Sequence, residues 1–506
     1  MGNSFSRMGL LQKLFVLTLA CLSQLALGSP VNKAGDPLLA RVQMLSEGMS
    51  RVLLECPERV WPGMNWRDPQ VVYSDHEKQQ AFVWNEFGGK DLFRAIDFSL
   101  LPPSMAFGFY ANGEWKGRDA LAINLAFTGR MPAGPFQKDF ALTLAVHEGF
   151  HFYVQSQWGL PKDEGTRATE YPADWQPRRL RFELLNALVE AFERGSHLPA
   201  YLSVASYWRQ ELMNRYPGLA ETYKQTDVAE GSASYMDGVS SAIAWGGCGQ
   251  SEQELLDAMR GALRTELVQI NEPEMEVFGH DHYSLGLVSG LIMREQGRMG
   301  WEHQVSLGER PVDLVVEGIL PMAPPENHEI REQVKAAVEK FNSETGKVVD
   351  PFLATMADPA SIRVVMPYKL IQGAFGTQGF ILPKAVPGME LILAIDVRFG
   401  SADGRLNGEL KGQTVGVVED GNPCATADES KSQWIIPLEA SSLQTDGTFF
   451  EISSPQFQVT GPHERLVSRP QGGVRWYCLE ENTVSTPEGA MKPLNTVKPL
   501  VTRTWW

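Results

Sequence analysis

The sequence predicts an α+β protein, in which a mainly helical domain with a small β-sheet precedes a β-rich, sandwich-like domain. Between Asp139 and about Phe341, apolar residues recur mostly at helical spacing. After about residue 350, short runs rich in β-branched and aromatic residues alternate with clusters of Gly, Pro, Asn and Asp. We therefore predict a signal segment at 1–28, a mainly helical domain at 29–349 and a β-rich domain at 350–506.

The first segment, 1–28, has the composition of a secretory signal. Arg7 and Lys13 supply positive charge, an apolar run follows, and Ala26-Leu27-Gly28 offers a small-residue cleavage site. The apolar run is too short to cross a bilayer. We expect export in soluble form, to the periplasm or the medium, rather than lipid anchoring through Cys21. No later segment is apolar enough over a sufficient length for an integral membrane span.

The expected elements follow from local periodicity. In the first domain we predict an amphipathic helix at 37–55, strands at 71–73, 80–84 and 120–124, and helices at 252–267, 283–295 and 329–341. In the second domain we predict strands at 362–366, 390–397, 414–418, 434–436, 448–452 and 475–479.

Charge and cysteine content limit the partners and the compartment. The formal net charge of −16 argues against nucleic acid and anionic membranes as partners. Four cysteines lie outside the signal segment, an even number that suggests disulfides in an exported chain. Of the three possible pairings we predict Cys56–Cys248 and Cys424–Cys478, because each pair then lies within one predicted domain.

The segment His147-Glu148-Gly149-Phe150-His151 carries the most specific chemical signal. Asp139 can cap a helix that runs into it, and the flanking apolar residues recur at helical spacing. On a helix, two imidazoles four positions apart can hold one divalent cation. Glu148 beside that cation can then take a proton from bound water.

A catalytic zinc site usually needs a third protein ligand. The residues directly after His151 contain no histidine, so a more distant carboxylate is required. Glu230 is the best candidate, since the small residues that follow it would let its helix approach the motif helix closely. Glu183, Glu190 and Glu193 on an intervening helix remain alternatives.

His147-Glu148-x-x-His151 followed by Glu230-Gly-x-Ala-x-Tyr235 resembles the gluzincin metallopeptidases. It is most similar to a bacterial group with H-E-x-F-H-x-x-x-Q and E-G-x-A-x-Y signatures. Three further stretches agree with this resemblance, which spans roughly residues 50–300: Trp61-Pro62-Gly63, Ala122-Ile123-Asn124 and Tyr283-x-x-Gly286.

The resemblance implies a zincin-like fold for the first domain and Zn²⁺ as cofactor. It further implies His147, His151 and Glu230 as metal ligands and Glu148 as general base. Many gluzincins place an Asp four residues after the third ligand, but this chain has Ser234 there. Asp237 is the nearest acid that could instead orient a histidine.

The oxyanion formed during peptide hydrolysis also needs a stabilising group. In related enzymes a downstream Tyr or His often supplies it, and His282 and Tyr283 are the matching residues here, unless they simply begin a capped helix. We therefore expect an exported zinc metallopeptidase that acts on a peptide or protein substrate. A catalytically silent protein with a structural metal and a ligand- or envelope-binding β-domain is the alternative. A hydrolase of non-peptide amides or esters is a third reading.

Overall fold

The computed structural model describes residues 36–480 except for 65, 67, 87–92, 103–104, 107, 132–137, 160–167, 196–198, 271–280, 377–378, 402, 419–421 and 425–432. The predicted signal segment, with Cys21, lies outside the described residues. The chain divides after Met44 into two compact units, and both sheets belong to the second, Leu45–Trp506. Helices and strands occur together, which is compatible with the predicted α+β class.

Five strands form the first sheet, in the order β3-β2-β1-β5-β4. The strands are β1 Val71–Asp75, β2 Gln80–Trp84, β3 Phe93–Ile96, β4 Tyr110–Trp115 and β5 Arg118–Asn124. The central strands β1 and β5 are parallel, and the other neighbours are antiparallel. The structure confirms the three strands predicted from apolar runs. Strand β3 was not predicted, because no residue of this strand is fully buried and its sequence has no apolar run.

Helices supply most of the described chain up to Ala357. They are α1 Pro37–Ser50, α2 Pro57–Val60, α3 Leu125–Thr128, α4 Phe140–Gly149, α5 Trp175–Arg194, α6 Pro199–Arg215, α7 Pro217–Thr222, α8 Lys224–Gly246, α9 Glu252–Ile270, α10 Asp281–Glu295, α11 Trp301–Ser306, α12 Pro311–Val316 and α13 His328–Ala357. Among the described helices, none is long and apolar enough to pass through a bilayer.

Helix α13 extends well beyond its predicted end at Phe341 and contains Pro351. Its last turns are stabilised by tertiary contacts, since Val349 and Phe352 pack into one core cluster with Ile381 and Leu391 of the second sheet. Burial of these side chains offsets the cost of a proline inside the helix. The prediction that this helix ends near Phe341 was therefore wrong.

Within the described residues, twelve strands form the second sheet network. They are β6 Thr169–Tyr171, β7 Ile362–Pro367, β8 Ile371–Gly376, β9 Gly379–Pro383, β10 Met389–Gly400, β11 Asn407–Val418, β12 Gln433–Leu438, β13 Leu443–Thr445, β14 Phe449–Ser453, β15 Phe457–Pro462, β16 Leu466–Ser468 and β17 Arg475–Leu479. All six strands predicted from the sequence are present. The early strand β6 pairs in parallel with β9, so a segment between α4 and α5 joins this sheet.

Both predicted disulfides are present in the structure. Cys56–Cys248 closes a sequence separation of 192 residues, and Cys424–Cys478 closes one of 54. Disulfides persist mainly in oxidising compartments, so this pairing is compatible with an exported protein.

Removal of the Cys56–Cys248 disulfide, which closes the longer loop, is expected to cost more stability than removal of Cys424–Cys478. A C56S/C248S variant should lose roughly 2–5 kcal/mol of unfolding free energy, because the unfolded chain regains loop entropy. The C424S/C478S variant is the matched comparison and should lose about 1 kcal/mol less. Urea unfolding of both variants measures the difference. An equal or larger loss in the second variant would contradict this account.

Candidate metal centre

The motif helix begins as the sequence predicts. The carboxylate of Asp139 accepts a hydrogen bond from the backbone N–H of Ala141 at 2.9 Å, which confirms the predicted N-cap. Helix α4 then carries His147 and Glu148, and the chain continues in a π-helical turn, Phe150–Val154, that carries His151. Such wide turns inside helices are frequent at functional sites. The two histidine rings lie 4.8 Å apart between their centroids.

Three side chains converge at this point. The Nε2 atoms of His147 and His151 are 3.1 Å apart, and the Glu230 Oε2 atom lies 3.3 Å from the first and 3.5 Å from the second. Glu230 is almost completely buried, at 2% exposure. Within the described part of the chain, these three residues form a group that could hold a metal ion.

The Nδ1 atom of His151 is held by Gln155, the last residue of the H-E-x-F-H-x-x-x-Q signature, for which no role was predicted. The Gln155 Nε2 group donates to the carbonyl oxygen of Ala229 at 2.8 Å and to the Ser232 hydroxyl at 2.9 Å. Only the amide nitrogen can donate to a carbonyl, so Oε1 of Gln155 must face His151. The Nδ1 atom of His151 therefore donates to that oxygen, at 2.6 Å, and its Nε2 atom carries a lone pair.

His147 has an equivalent partner on helix α8. Its Nδ1 atom donates to Oδ2 of Asp237 at 2.8 Å, which agrees with the prediction that Asp237 could orient a histidine. Burial raises the pKa of the Asp237 carboxyl, whereas the adjacent His147 lowers it. With Nδ1 as the donor, the Nε2 atom of His147 is also an acceptor.

Two imidazole nitrogens and one carboxylate oxygen thus lie within hydrogen-bond distance of one another. When both rings are neutral these three atoms are acceptors, and imidazole nitrogen with carboxylate is a common donor set for divalent metals. The polar partners that fix both rings in this orientation are typical of metal centres.

Helix α8 reaches this position by packing closely on α10. A Cβ atom at Gly286 would lie 2.1 Å from the Cα atom of Gly231, so only glycine is accommodated there. We predicted that the small residues after Glu230 would contact the motif helix. The structure instead places Gly231 against α10, and Ser232 is the residue linked to the motif segment, through Gln155.

Glu148 lies half-buried beside His147 on α4. Its negative charge is close enough to contribute to the raised pKa of Asp237, after the larger effects of burial and His147. Within the part of the chain that the structure describes, its carboxylate makes no hydrogen bond and no ion pair.

The two downstream candidates occupy different surroundings. The ring of Tyr283 stacks on His147, with 6.0 Å between centroids and 28° between planes. His282 is buried and its Nδ1 atom lies 2.6 Å from Oδ1 of Asp227, in a separate charged cluster. The structure thus brings Tyr283, but not His282, to the histidine pair.

The three glutamates of α5 that were alternatives for the third ligand are not part of the histidine cluster. Glu183 is buried and its carboxylate lies 3.7 Å from Nε of Arg179, while Glu190 pairs with Arg194 at 3.0 Å on the exposed side of α5. Glu193 is half-buried near the end of the same helix. None of the three belongs to the metal-binding group found among the described residues.

No family model, no curated protein and no solved structure matches this chain. The chemistry of the histidine and glutamate cluster is therefore the main indication of function.

Proposed function

We propose that this chain is a zinc-dependent hydrolase that cleaves peptide bonds. The observation that carries the proposal is the convergence of three acceptor atoms, from His147, His151 and Glu230, beside the carboxylate of Glu148. Gln155 holds the His151 ring in this orientation through its bonds to Nδ1 and to the Ala229 carbonyl, which supports a role for the three atoms as metal ligands.

The separations within the cluster are compatible with a zinc ion, and the ligand types disfavour calcium and magnesium. Zinc with bonds of about 2.0–2.1 Å in a tetrahedral arrangement has ligand atoms about 3.3–3.4 Å apart. The observed separations of 3.1, 3.3 and 3.5 Å are centred on that value. Calcium and magnesium prefer oxygen ligands, and calcium also needs a larger number of them, so two imidazoles do not suit either ion.

His147, His151 and Glu230 would hold the zinc ion, which when bound supplies a Lewis acid that polarises a carbonyl and promotes ionisation of water. Glu148 takes the proton from the attacking water and then delivers it to the leaving amine. Tyr283, stacked on His147, can donate a hydrogen bond to the developing oxyanion.

Glu148 also distinguishes hydrolysis from a purely structural metal site. A structural site has four protein ligands and no use for a carboxylate base next to them. Among the described residues the cluster offers three ligands, and Glu148 remains without a hydrogen-bond or ion-pair partner. The resemblance of the two motifs to gluzincins supports a peptide bond, rather than another amide or an ester, as the target.

Metal removal tests the proposal directly. The purified protein should contain about one zinc ion per chain, and extraction with a chelator should abolish cleavage of a fluorogenic peptide library. Re-addition of zinc should restore the cleavage, with magnesium as the control ion. Cleavage that survives complete zinc removal would overturn the metal-dependent mechanism.

A further inference from the structure

A second buried cluster lies one helical turn from the metal centre and is centred on Arg181 of α5. The guanidinium is 3% exposed, and its Nη2 atom donates to Oδ1 of Asp227 at 2.7 Å. Its Nε atom donates to Asp281, which is 1% exposed. His282 completes the cluster through Asp227, and the ring of Tyr223 lies 4.9 Å below the guanidinium.

The two carboxylates belong to the first turns of two different helices. Asp227 lies in the first turn of α8, three residues before Glu230. Asp281 begins α10, two residues before Tyr283. One guanidinium on α5 therefore joins the starts of the two helices that carry the buried metal ligand and the phenol beside His147.

We propose that Arg181 is a positioning residue for the metal centre: through Asp227 it fixes Glu230 against the two histidines, and through Asp281 it fixes Tyr283 beside His147. The inference rests on the proposed metal centre and adds a residue that contacts neither metal nor substrate. Substitution of Asp227 and substitution of Asp281 are expected to have different effects, because the two carboxylates belong to different helices.

The chemistry of arginine suits this role. A planar guanidinium has five donors in a rigid fork and can bind two carboxylates at once, whereas a lysine ammonium is a point charge on a flexible stem. Burial opposes ionisation of Asp227, but the charges of Arg181 and His282 outweigh it and lower its pKa. The carboxylate of Asp281 behaves in the same way, which keeps both carboxylates ionised.

A comparison of R181K with R209K tests the geometry at constant charge. Arg209 on α6 pairs with Asp313 on α12, and neither helix carries a residue of the metal centre. Zinc affinity is measured by competition with a chromophoric chelator, and kcat and KM are measured on a cleaved peptide. R181K should bind zinc about 10–100-fold more weakly and lose a similar factor in kcat, the range found for outer partners of metal ligands. R209K should leave both values unchanged.

The two carboxylates are tested separately with isosteric amides, which also covers the case that R181K fails to fold. D227N should weaken zinc binding about tenfold, because α8 is released. D281N should lower kcat about tenfold with little change in KM and affect zinc affinity less than D227N does, because Asp281 lies two residues from Tyr283 and reaches Glu230 only through the packing of α8 on α10. A residue with a purely structural role would lower thermal stability without producing this separation.

The outcomes are distinct. Zinc affinity and kcat at wild-type values in folded R181K, or in both asparagine variants, would overturn the positioning role. A wild-type chain that binds zinc but cleaves no peptide would overturn only the peptidase function, because the affinity comparison still decides the role of Arg181. A wild-type chain that binds no zinc would overturn both.

Discussion

Replacement of Glu148 by glutamine is expected to lower kcat/KM for peptide hydrolysis by about 10²–10⁴-fold, the usual contribution of a general base. The amide keeps the shape of the side chain but cannot take a proton from water. Glu148 is not one of the three residues in the metal-binding group, so the zinc content should stay at the wild-type value. Metal analysis and peptide turnover on the same sample measure both quantities.

The control for this variant is E190Q, which makes the same change at an exposed glutamate on α5 that is paired with Arg194. It should retain full activity. Unchanged hydrolysis by E148Q would remove Glu148 from the mechanism. Loss of zinc from E148Q would instead show that the side chain supports the metal site, and the two roles are thereby distinguished.

The local part of the site could be predicted from the sequence because it depends on helix geometry alone. Asp139 precedes an apolar run at helical spacing, and a cap there follows from the need of the first turn for acceptors. His147 and His151 are four residues apart, so helical geometry places them on one side whatever the rest of the fold does. Glu230 was selected among several carboxylates by its small neighbours and by the resemblance, and the structure places it in the cluster.

The tertiary part of the site could not be predicted in the same way. Gln155 acquires its role from the Ala229 carbonyl on α8, a contact that is 74 residues distant in sequence. Its position four residues after His151 was a usable signal, because i and i+4 residues are neighbours on a helix. Arg181 belongs to no sequence motif. Its proposed role depends on tertiary contacts between its guanidinium and carboxylates in the first turns of α8 and α10.

In the second sheet too, some strands could be predicted from local sequence, whereas others depend on residues far away in the chain. Its buried strands, such as β12, are apolar runs that the composition predicts. Strand β6 has only three residues, and it forms because β9 offers a parallel edge more than two hundred residues later. The disulfides could be selected correctly because only three pairings were possible and the domain prediction separated them.

Replacement of Glu230 by alanine is expected to weaken zinc binding by more than about 100-fold, because loss of a direct ligand should exceed the effect of losing an outer partner. Hydrolysis should fall to background at zinc concentrations that saturate the wild type. Two imidazoles without the carboxylate retain neither the charge nor the third coordination position that a catalytic zinc site requires.

The matched control is E183A, which removes another buried glutamate whose carboxylate lies near Arg179 rather than near the histidines. Burial raises the pKa of the Glu183 carboxyl, and Arg179 only partly opposes this. E183A should bind zinc like the wild type. Full zinc occupancy in E230A, together with loss of zinc from E183A, would place the third ligand on α5. That result would contradict the cluster geometry, because the Glu230 carboxylate lies 3.3 Å from the Nε2 atom of His147 and should be required for zinc binding.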